Sequence, residues 1–229
     1  YANILGDGTV SYTPTTNTLT LNNANISCNG QNAITITESQ PFTIKCIGTN
    51  TISVTNDGFA VSANSTTIFT GPGSISMHSH LNTFAGFSGG LTIQDGCTVT
   101  LQSEAATCLV TGVVTVDNAD LVAKGNGTTL TASCSGLNMK NGVQILSRHT
   151  YDAAQMMFLN PAGEVAKDDI VIGHDNRTVI KEVNVKNLHA PTAGFRYNSD
   201  SMRATLNVPE DAVYGLKANS VNLYKMTNS

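Results

Sequence analysis

A short β-favouring run recurs between residues 19 and 139 at steps of 23 to 25 residues. The runs are three residues long and end at Leu21, Ile44, Ile68, Ile93, Val116 and Met139. A fixed period of this size is typical of a solenoid, in which each repeat covers the apolar face of the next. We therefore expect these six residues to fill equivalent inward positions of successive coils.

Each repeat contains three strand-like runs separated by turn-forming residues. In residues 41–64 the runs lie at 42–44, 51–54 and 59–61, and the Gly- and Asn-rich residues between them favour turns. Apolar residues alternate with polar ones, so one face of each strand points inward. The pattern predicts an all-β fold: a right-handed, single-stranded parallel β-helix with three strands per coil and about six coils.

A leucine-rich-repeat horseshoe is the alternative architecture. Leu19-Thr-Leu21-Asn22 matches part of the consensus of such repeats. That architecture needs a helical or irregular segment in each repeat, whereas the later repeats here show two or three strand runs. The sequence therefore favours the β-helix.

Composition divides the chain near Arg148–Tyr151. Residues 1–150 contain 11 charged residues and 26 threonines, whereas residues 151–229 contain 17 charged residues and 4 threonines. Threonine suits stacked strands, because β-branched side chains form ladders on a sheet. We predict a β-helix over residues 1–150 and a small β-rich domain over 151–229, with a short helix near 209–219. This second domain would cover an open end of the solenoid.

Several runs of the second domain are strand-like. They lie at Gln155–Leu159, Asp169–Ile172, Thr178–Val185, Ala204–Val208 and Val221–Tyr224. The predicted helix starts at Pro209, which suits the first helical position, and Glu210 and Asp211 suit the positive end of a helix.

Charge and cysteine content exclude several classes of protein. Only 12% of residues are charged and the net charge is −4, which argues against a nucleic-acid partner. No apolar run is long enough to span a bilayer. The cysteines are odd in number and form no Cys-x-x-Cys pair, so we expect buried small apolar side chains rather than disulfides or metal ligands. They are Cys28, Cys46, Cys97, Cys108 and Cys134.

Two segments resemble a family of secreted parallel β-helix surface proteins of gut Bacteroides and related bacteria. Residues 8–26 resemble their opening coil, and residues 158–173, after Tyr151-Asp152, are similar to a segment that follows the coils. The resemblance implies an exported, surface-attached protein of poorly defined function, in some cases described as carbohydrate-binding. We expect an extracellular or cell-surface location and a leader that has been removed before Tyr1. The resemblance supplies no catalytic residues.

Stacking of the coils predicts a first column of turn residues containing Asp95, Asp117 and Lys140. Two carboxylates on adjacent strands can chelate Ca²⁺, or one can act as a general acid and the other as a general base. The hypothesis is a uronan lyase or glycoside hydrolase in which Asp95 and Asp117 act as ligands or as acid and base, with Lys140 as the base. The alternative is that all three are ordinary turn residues, since Asp bonds its own backbone in turns.

A second column contains Asp57, His78-Ser-His80, Glu104 and Lys124. In an extended segment His78 and His80 share one face, and Glu104 follows on the next coil. Two imidazoles and a carboxylate can bind a transition metal. The alternative is a set of solvated turn residues, and the sequence predicts no cofactor beyond this candidate and the Ca²⁺ considered above.

Aromatic residues are the remaining candidates for ligand binding. Phe84 and Phe87 lie in a Gly-rich segment where they could stack on a sugar ring, although we favour inward positions for both. The chain contains no tryptophan, which counts against an ordinary carbohydrate-binding module. Three functions remain open: a non-catalytic adhesive or structural surface module, a protein that binds polysaccharide or host-cell glycan, and a polysaccharide-active enzyme.

Overall fold

The computed structural model is all-β and forms a solenoid of about 5 turns with parallel pairing between coils. It describes residues 3–86 and 89–174 in full, and the backbone of 195–198 and 203–206. The chain divides into two compact units, Tyr1–Asp175 and Asn176–Ser229. The prediction of an all-β parallel solenoid is confirmed, with about five turns in place of six.

The strands of the first unit form three columns, as the sequence predicts. The first column contains β2 (Thr18–Asn22), β5 (Phe42–Ile47), β8 (Thr67–Thr70), β11 (Leu91–Gln94) and the second halves of β13 (Leu109–Asp117) and β15 (Ala132–Lys140). The second column contains β3 (Asn25–Asn29), β6 (Thr49–Thr55), β9 (Ser74–Ser79), β12 (Thr98–Ser103) and β14 (Asp120–Lys124). The third column contains β4 (Ile34–Ile36), β7 (Val61–Ala63), β10 (Phe84–Gly86) and the first halves of β13 and β15.

Ladders of buried apolar residues fill the interior. The first column stacks Leu19, Ile44, Phe69, Ile93, Val116 and Met139 in register. The third stacks Ile34, Val61, Phe84, Leu109 and Ala132. Most of these side chains are fully buried. Complete burial of one Val, Leu, Ile or Phe side chain stabilises the fold by about 1.5–3 kcal/mol.

Three of the six predicted inward positions differ from the structure. Ile68 faces outward and its neighbour Phe69 points inward. Leu21 is buried but pairs with Cys46, two residues past the expected partner. Met139 keeps its register position, yet it is 39% exposed. Met139 lies on the last coil of its column, where no further coil covers it.

Residues with left-handed backbone form the corner between the first and second columns. At this first corner each coil places one or two Asn, Asp or Gly residues with a φ between 47° and 99°. These residues are Asn23, Gly48, Gly71, Asp95 with Gly96, Asn118, and Asn141 with Gly142. Asn, Asp and Gly tolerate this conformation better than other residues, so turn geometry by itself accounts for Asp95.

The corner between the third column and the next coil varies in length along the chain. It spans residues 37–41 after β4 and residues 64–66 after β7, whereas β13 passes through it as one continuous strand. Gly112 lies at this bend, and its N–H donates to the carbonyl oxygen of Gly89 at 3.0 Å. The register step is 25 residues between Ile44 and Phe69 and 23 between Ile93 and Val116.

An antiparallel strand begins the solenoid. β1 (Val10–Thr13) pairs antiparallel with β2 through a 3-10 turn at Pro14–Thr16. Tyr12 stacks on the Phe42 ring at 5.9 Å. β1 thus covers the first column, while β3 and β4 end the order of their sheets.

Antiparallel strands also follow the last coil. They are β16 (Val143–Ile145), β17 (Thr150–Asp152), β18 (Met157–Leu159) and β19 (Ile170–His174). β19 pairs antiparallel with β14, and β18 pairs with β15. We call residues 143–174 the closing segment. It belongs to the first compact unit, which extends beyond the boundary at residue 150 that composition predicts.

The second compact unit contains a two-stranded antiparallel sheet of β20 (Phe195–Asn198) and β21 (Arg203–Leu206). β21 overlaps the predicted strand at 204–208. The predicted helix near 209–219 and the predicted strands at 178–185 and 221–224 lie outside the described residues.

Candidate functional site

Ladders of mostly uncharged polar side chains lie on the outside of the first two columns. The first ladder is Thr18, Thr43, Ile68, Thr92, Thr115 and Asn138, in which Ile68 is the one apolar member. The second is Asn25, Thr51, Ser76 and Thr100, and it ends at the apolar Val122. Within the second ladder, the Thr51 hydroxyl donates to Asn25 Oδ1 at 2.7 Å. We call these residues the polar outer face.

Two histidines and a glutamate from adjacent coils meet beside this face. His78 lies on β9 and His80 follows it, while Glu104 follows β12 on the next coil. His78 Nε2 lies 3.3 Å from Glu104 Oε1, and His80 Nδ1 lies 3.1 Å from Glu104 Oε2. We call these three residues the His–Glu cluster. One carboxylate thus holds both imidazoles, as alternate positions on one strand and a neighbour on the next would dictate.

The two other residues of this predicted column, Lys124 and Asp57, do not join the His–Glu cluster. Lys124 is exposed and pairs in register with Gln102, which in turn pairs with His78. Asp57 is an exposed turn residue. Among the described residues, no group of three or more His, Cys, Asp and Glu side chains is arranged to hold a metal ion as it stands.

The predicted catalytic trio is only partly assembled. Asp117 and Lys140 are register partners on β13 and β15. Asp95 lies one position further, because Gln94 rather than Asp95 pairs with Asp117. No ion pair joins Asp117 to Lys140 within the described ranges.

Local hydrogen bonds occupy both carboxylates of this trio. Asp95 Oδ2 accepts from the Thr70 hydroxyl at 2.6 Å and from Gln94 Nε2 at 3.0 Å. Asp117 accepts from the side-chain amide of Asn141 on the next coil. These contacts fasten turns of successive coils together, which is the role that the turn interpretation gives them.

No sequence pattern indicated a buried histidine in the closing segment. The side chain of His149 is 3% exposed, and its Nε2 lies 2.9 Å from Asp168 Oδ1. This hydrogen bond is the largest cause of a lowered pKa of Asp168. The Nδ1 atom is buried and has no partner. Because no period links residue 149 to residue 168, repeat alignment could not have paired them.

A shallow depression of about 730 Å³ lies beside this pair. Its walls include Gly125, Asn160, Glu164, Lys167, Asp168 and Asp169. The carboxylates already accept hydrogen bonds from the protein: Asp169 from the Gly125 N–H at 3.0 Å and Glu164 from Asn160 Nδ2 at 3.2 Å. The depression is therefore a polar surface on which Asp169 and Glu164 already accept hydrogen bonds from the protein.

Phe84, one of the two aromatic candidates, is fully buried. Its ring lies edge-on to the Phe69 ring, with centroids 6.4 Å apart. A buried ring cannot stack on a sugar, so the ligand-binding hypothesis for Phe84 is wrong and its inward placement is confirmed. Phe87 lies outside the described residues.

Four of the five cysteines are buried, and Cys28 is half-buried on the first strand of the second column. Burial raises the pKa of both Cys108 and Cys134. A hydrogen bond with the Cys97 thiol is the main cause of a raised pKa at Cys46. A thiol held in its protonated form is a poor nucleophile, so Cys46, Cys108 and Cys134 serve as packing groups.

Comparison with other proteins adds no functional assignment. No helix within the described residues is long and apolar enough to cross a membrane. Set against protein families, curated proteins and solved structures, the chain shows no significant match. The geometry of its own surface is therefore the basis for a functional proposal.

Proposed function

We propose that the protein is a non-catalytic adhesive or structural module of the cell surface or extracellular space. The observation that carries this proposal is the polar outer face. Its hydroxyl and amide groups repeat from coil to coil at the strand spacing of about 4.8 Å, and Ile68 interrupts the first ladder at one coil. Each hydroxyl both donates and accepts hydrogen bonds, so a long partner meets similar chemistry at most coils.

The favoured partner is an uncharged polar polymer, such as a cell-surface polysaccharide. Neither ladder contains an ionised group, and Lys45, Asp117 and Lys140 lie on the neighbouring outward row of the first column, so hydrogen bonding would be the main means of recognising the partner. The resemblance of residues 8–26 and 158–173 to secreted surface proteins supports a location outside the cell. A surface that repeats the same groups suits repeated weak contacts, whose combined affinity exceeds that of any single contact.

A binding screen with matched variants tests this proposal. Labelled protein is applied to a glycan array and to immobilised extracellular-matrix proteins. The triple variant Thr51→Val, Ser76→Ala, Thr100→Val removes one ladder of hydroxyls while preserving strand-forming residues. The control Thr35→Val, Thr37→Val, Ser62→Ala makes the same types of change on the third column and its corner.

We expect the parent and the control to bind, and the ladder variant to lose about tenfold or more in affinity, since several hydrogen bonds are removed together. Equal binding by the ladder variant, or no binding to any immobilised partner, would contradict the proposal.

The depression in the closing segment supports a second candidate function, binding of a short carbohydrate at one site. Amide, carboxylate and ammonium groups there can orient sugar hydroxyls. Lys167 is an exposed lining residue that is free to donate. If a glycan bound by the parent is retained by the ladder variant and lost by Lys167→Ala, the depression is the site; Lys140→Ala is the matched control.

A polysaccharide lyase or glycoside hydrolase centred on Asp95, Asp117 and Lys140 is the less favoured alternative. One oxygen of each of Asp95 and Asp117 accepts hydrogen bonds from neighbouring side chains, and the turn conformation already explains Asp95. An assay for new reducing ends or for unsaturated uronic acid on polysaccharides, with Asp117→Asn as the variant, separates catalysis from adhesion.

A further inference from the structure

We propose that the His–Glu cluster binds a divalent transition-metal ion at the surface of the solenoid. This inference goes beyond adhesion and does not depend on it. Zn²⁺ is the expected occupant, with Cu²⁺ and Ni²⁺ as competitors, because imidazole nitrogens suit these ions and a carboxylate can complete the set.

The strand geometry brings the three ligands to one side of the sheet. Alternate residues of a strand lie about 6.6 Å apart along it, and neighbouring strands about 4.8 Å apart. His78 and His80 therefore form one edge of a triangle. Glu104 supplies the third corner, because Glu104 N–H donates to the Ser79 carbonyl oxygen and so places the residue beside His80.

The observed contacts show that the three side chains reach one another across adjacent coils. Each imidazole nitrogen lies 3.1 to 3.3 Å from a different oxygen of Glu104. Because one carboxylate already bridges the two rings, the three candidate ligands are held at one place on the surface.

A small rearrangement is needed before a metal can enter. Glu104 now faces both imidazoles, and each of its two carboxylate oxygens contacts a different ring. The side chains of His78, His80 and Glu104 are 38%, 42% and 55% exposed, so a change of rotamer meets no packed neighbour on the solvent side. Each neutral imidazole presents its lone pair at the metal-facing nitrogen after moving its proton to the other one.

The cluster would leave coordination positions of the ion open. Glu104 supplies one negative charge to the ion. The neutral Gln102 lies between His78 and Lys124 in the register of the strands, so the Lys124 ammonium is not the direct neighbour of a ligand. The remaining positions face solvent, and a partner or water molecule would fill them.

Metal titration of the full, tag-free chain tests the proposal. Calorimetry with Zn²⁺ at neutral pH measures stoichiometry and affinity, and Co²⁺ absorption distinguishes nitrogen and oxygen ligands from thiolates. The variants are the double substitution His78→Ala, His80→Ala and the single substitution Glu104→Gln. The control is His174→Asn, because His174 contacts Asp120 and Asn141 instead of the cluster. Thermal unfolding by circular dichroism monitors folding of each variant.

We expect one saturable site in the parent and in His174→Asn. The double variant should lose about 100-fold in affinity and Glu104→Gln about tenfold, since ligands are removed from a three-ligand site. Zn²⁺ should raise the unfolding temperature of the parent but not of the double variant. The proposal is overturned if the parent shows no saturable Zn²⁺ binding, or if the double variant binds Zn²⁺ as tightly as the parent.

Discussion

The repeating coils and the closing segment cover their apolar interiors in different ways. In the coils every strand pairs in parallel with an equivalent strand, as β9 does with β6 and β12. In the closing segment the strands pair antiparallel and depend on individual contacts. There Tyr151 donates to the Cys134 carbonyl oxygen at 2.7 Å and His149 contacts Asp168. The coils should therefore respond to changes in packing, and the closing segment to the loss of single polar contacts.

The largest effect on stability is expected from Phe69→Ala, and the adjacent Ile68→Ala serves as its control. Phe69→Ala removes a fully buried ring and should lower the free energy of unfolding by about 3–5 kcal/mol. Ile68→Ala, on the polar outer face, should cost less than about 1 kcal/mol, because the side chain is only half-buried. Urea denaturation followed by circular dichroism measures both. Similar losses for the two variants would refute the alternation of inward and outward residues in β8.

A smaller effect is expected at the closing segment from Tyr151→Phe. The change removes one hydroxyl and its hydrogen bond to Cys134, which should cost about 1 kcal/mol at neutral pH. Desolvation is the main cause that raises the pKa of Tyr151 to about 12 from 10.0. The contribution of the phenol is therefore complete below pH 10 and is lost as the pH rises through about 12.

Unfolding measured between pH 9 and pH 12 tests this behaviour. The parent should lose its advantage over Tyr151→Phe across that window, and tyrosinate absorbance should show one group titrating late. An advantage that stays constant through pH 12 would mean that the phenol does not titrate as the contact requires.

The smallest effect is expected from Asp168→Asn. The amide oxygen still accepts from His149, so the substitution removes the charge alone. Because the Asp168 side chain is 73% exposed, the cost at neutral pH should be under about 1 kcal/mol. The pKa of Asp168 is lowered, so its contribution is present above the ordinary value of 3.8 and disappears as the pH falls through the lowered one.

Denaturation at pH 7 and at about pH 3 compares the parent with this variant, and Asp169→Asn serves as the neighbouring control. The difference between parent and Asp168→Asn should shrink in acid. A difference that grows in acid would contradict the charged hydrogen bond.

The repeat predicted the architecture because each coil uses the same periodic alternation. It also predicted that Glu104 would lie beside His80, since both follow the second strand of adjacent coils. The same reasoning misplaced Ile68 because the step from Ile44 to its inward equivalent Phe69 is 25 residues, one more than the alignment of the repeats assumed. One residue of error in register exchanges the inward and outward faces.

The closing segment was less predictable because it contains no repeat to align. Its strand at 170–172 was recognised from its apolar residues, but neither its antiparallel pairing with β14 nor the His149–Asp168 contact could be read from spacing. Such contacts depend on where a non-repeating chain turns back, which is a tertiary property.

The bend at Gly112 limits where the later coils can be shortened. A β-carbon on Gly112 would lie 2.5 Å from the Gly89 carbonyl oxygen, so the two backbones already touch with nothing between them. The 23-residue coils have no loop at this bend that a deletion could remove. A deletion here would take residues from β13, and a single lost residue would turn apolar side chains toward water. Shortening of this coil is thus confined to its other corners, such as residues 104–108, whereas the first coil has residues to spare at 37–41.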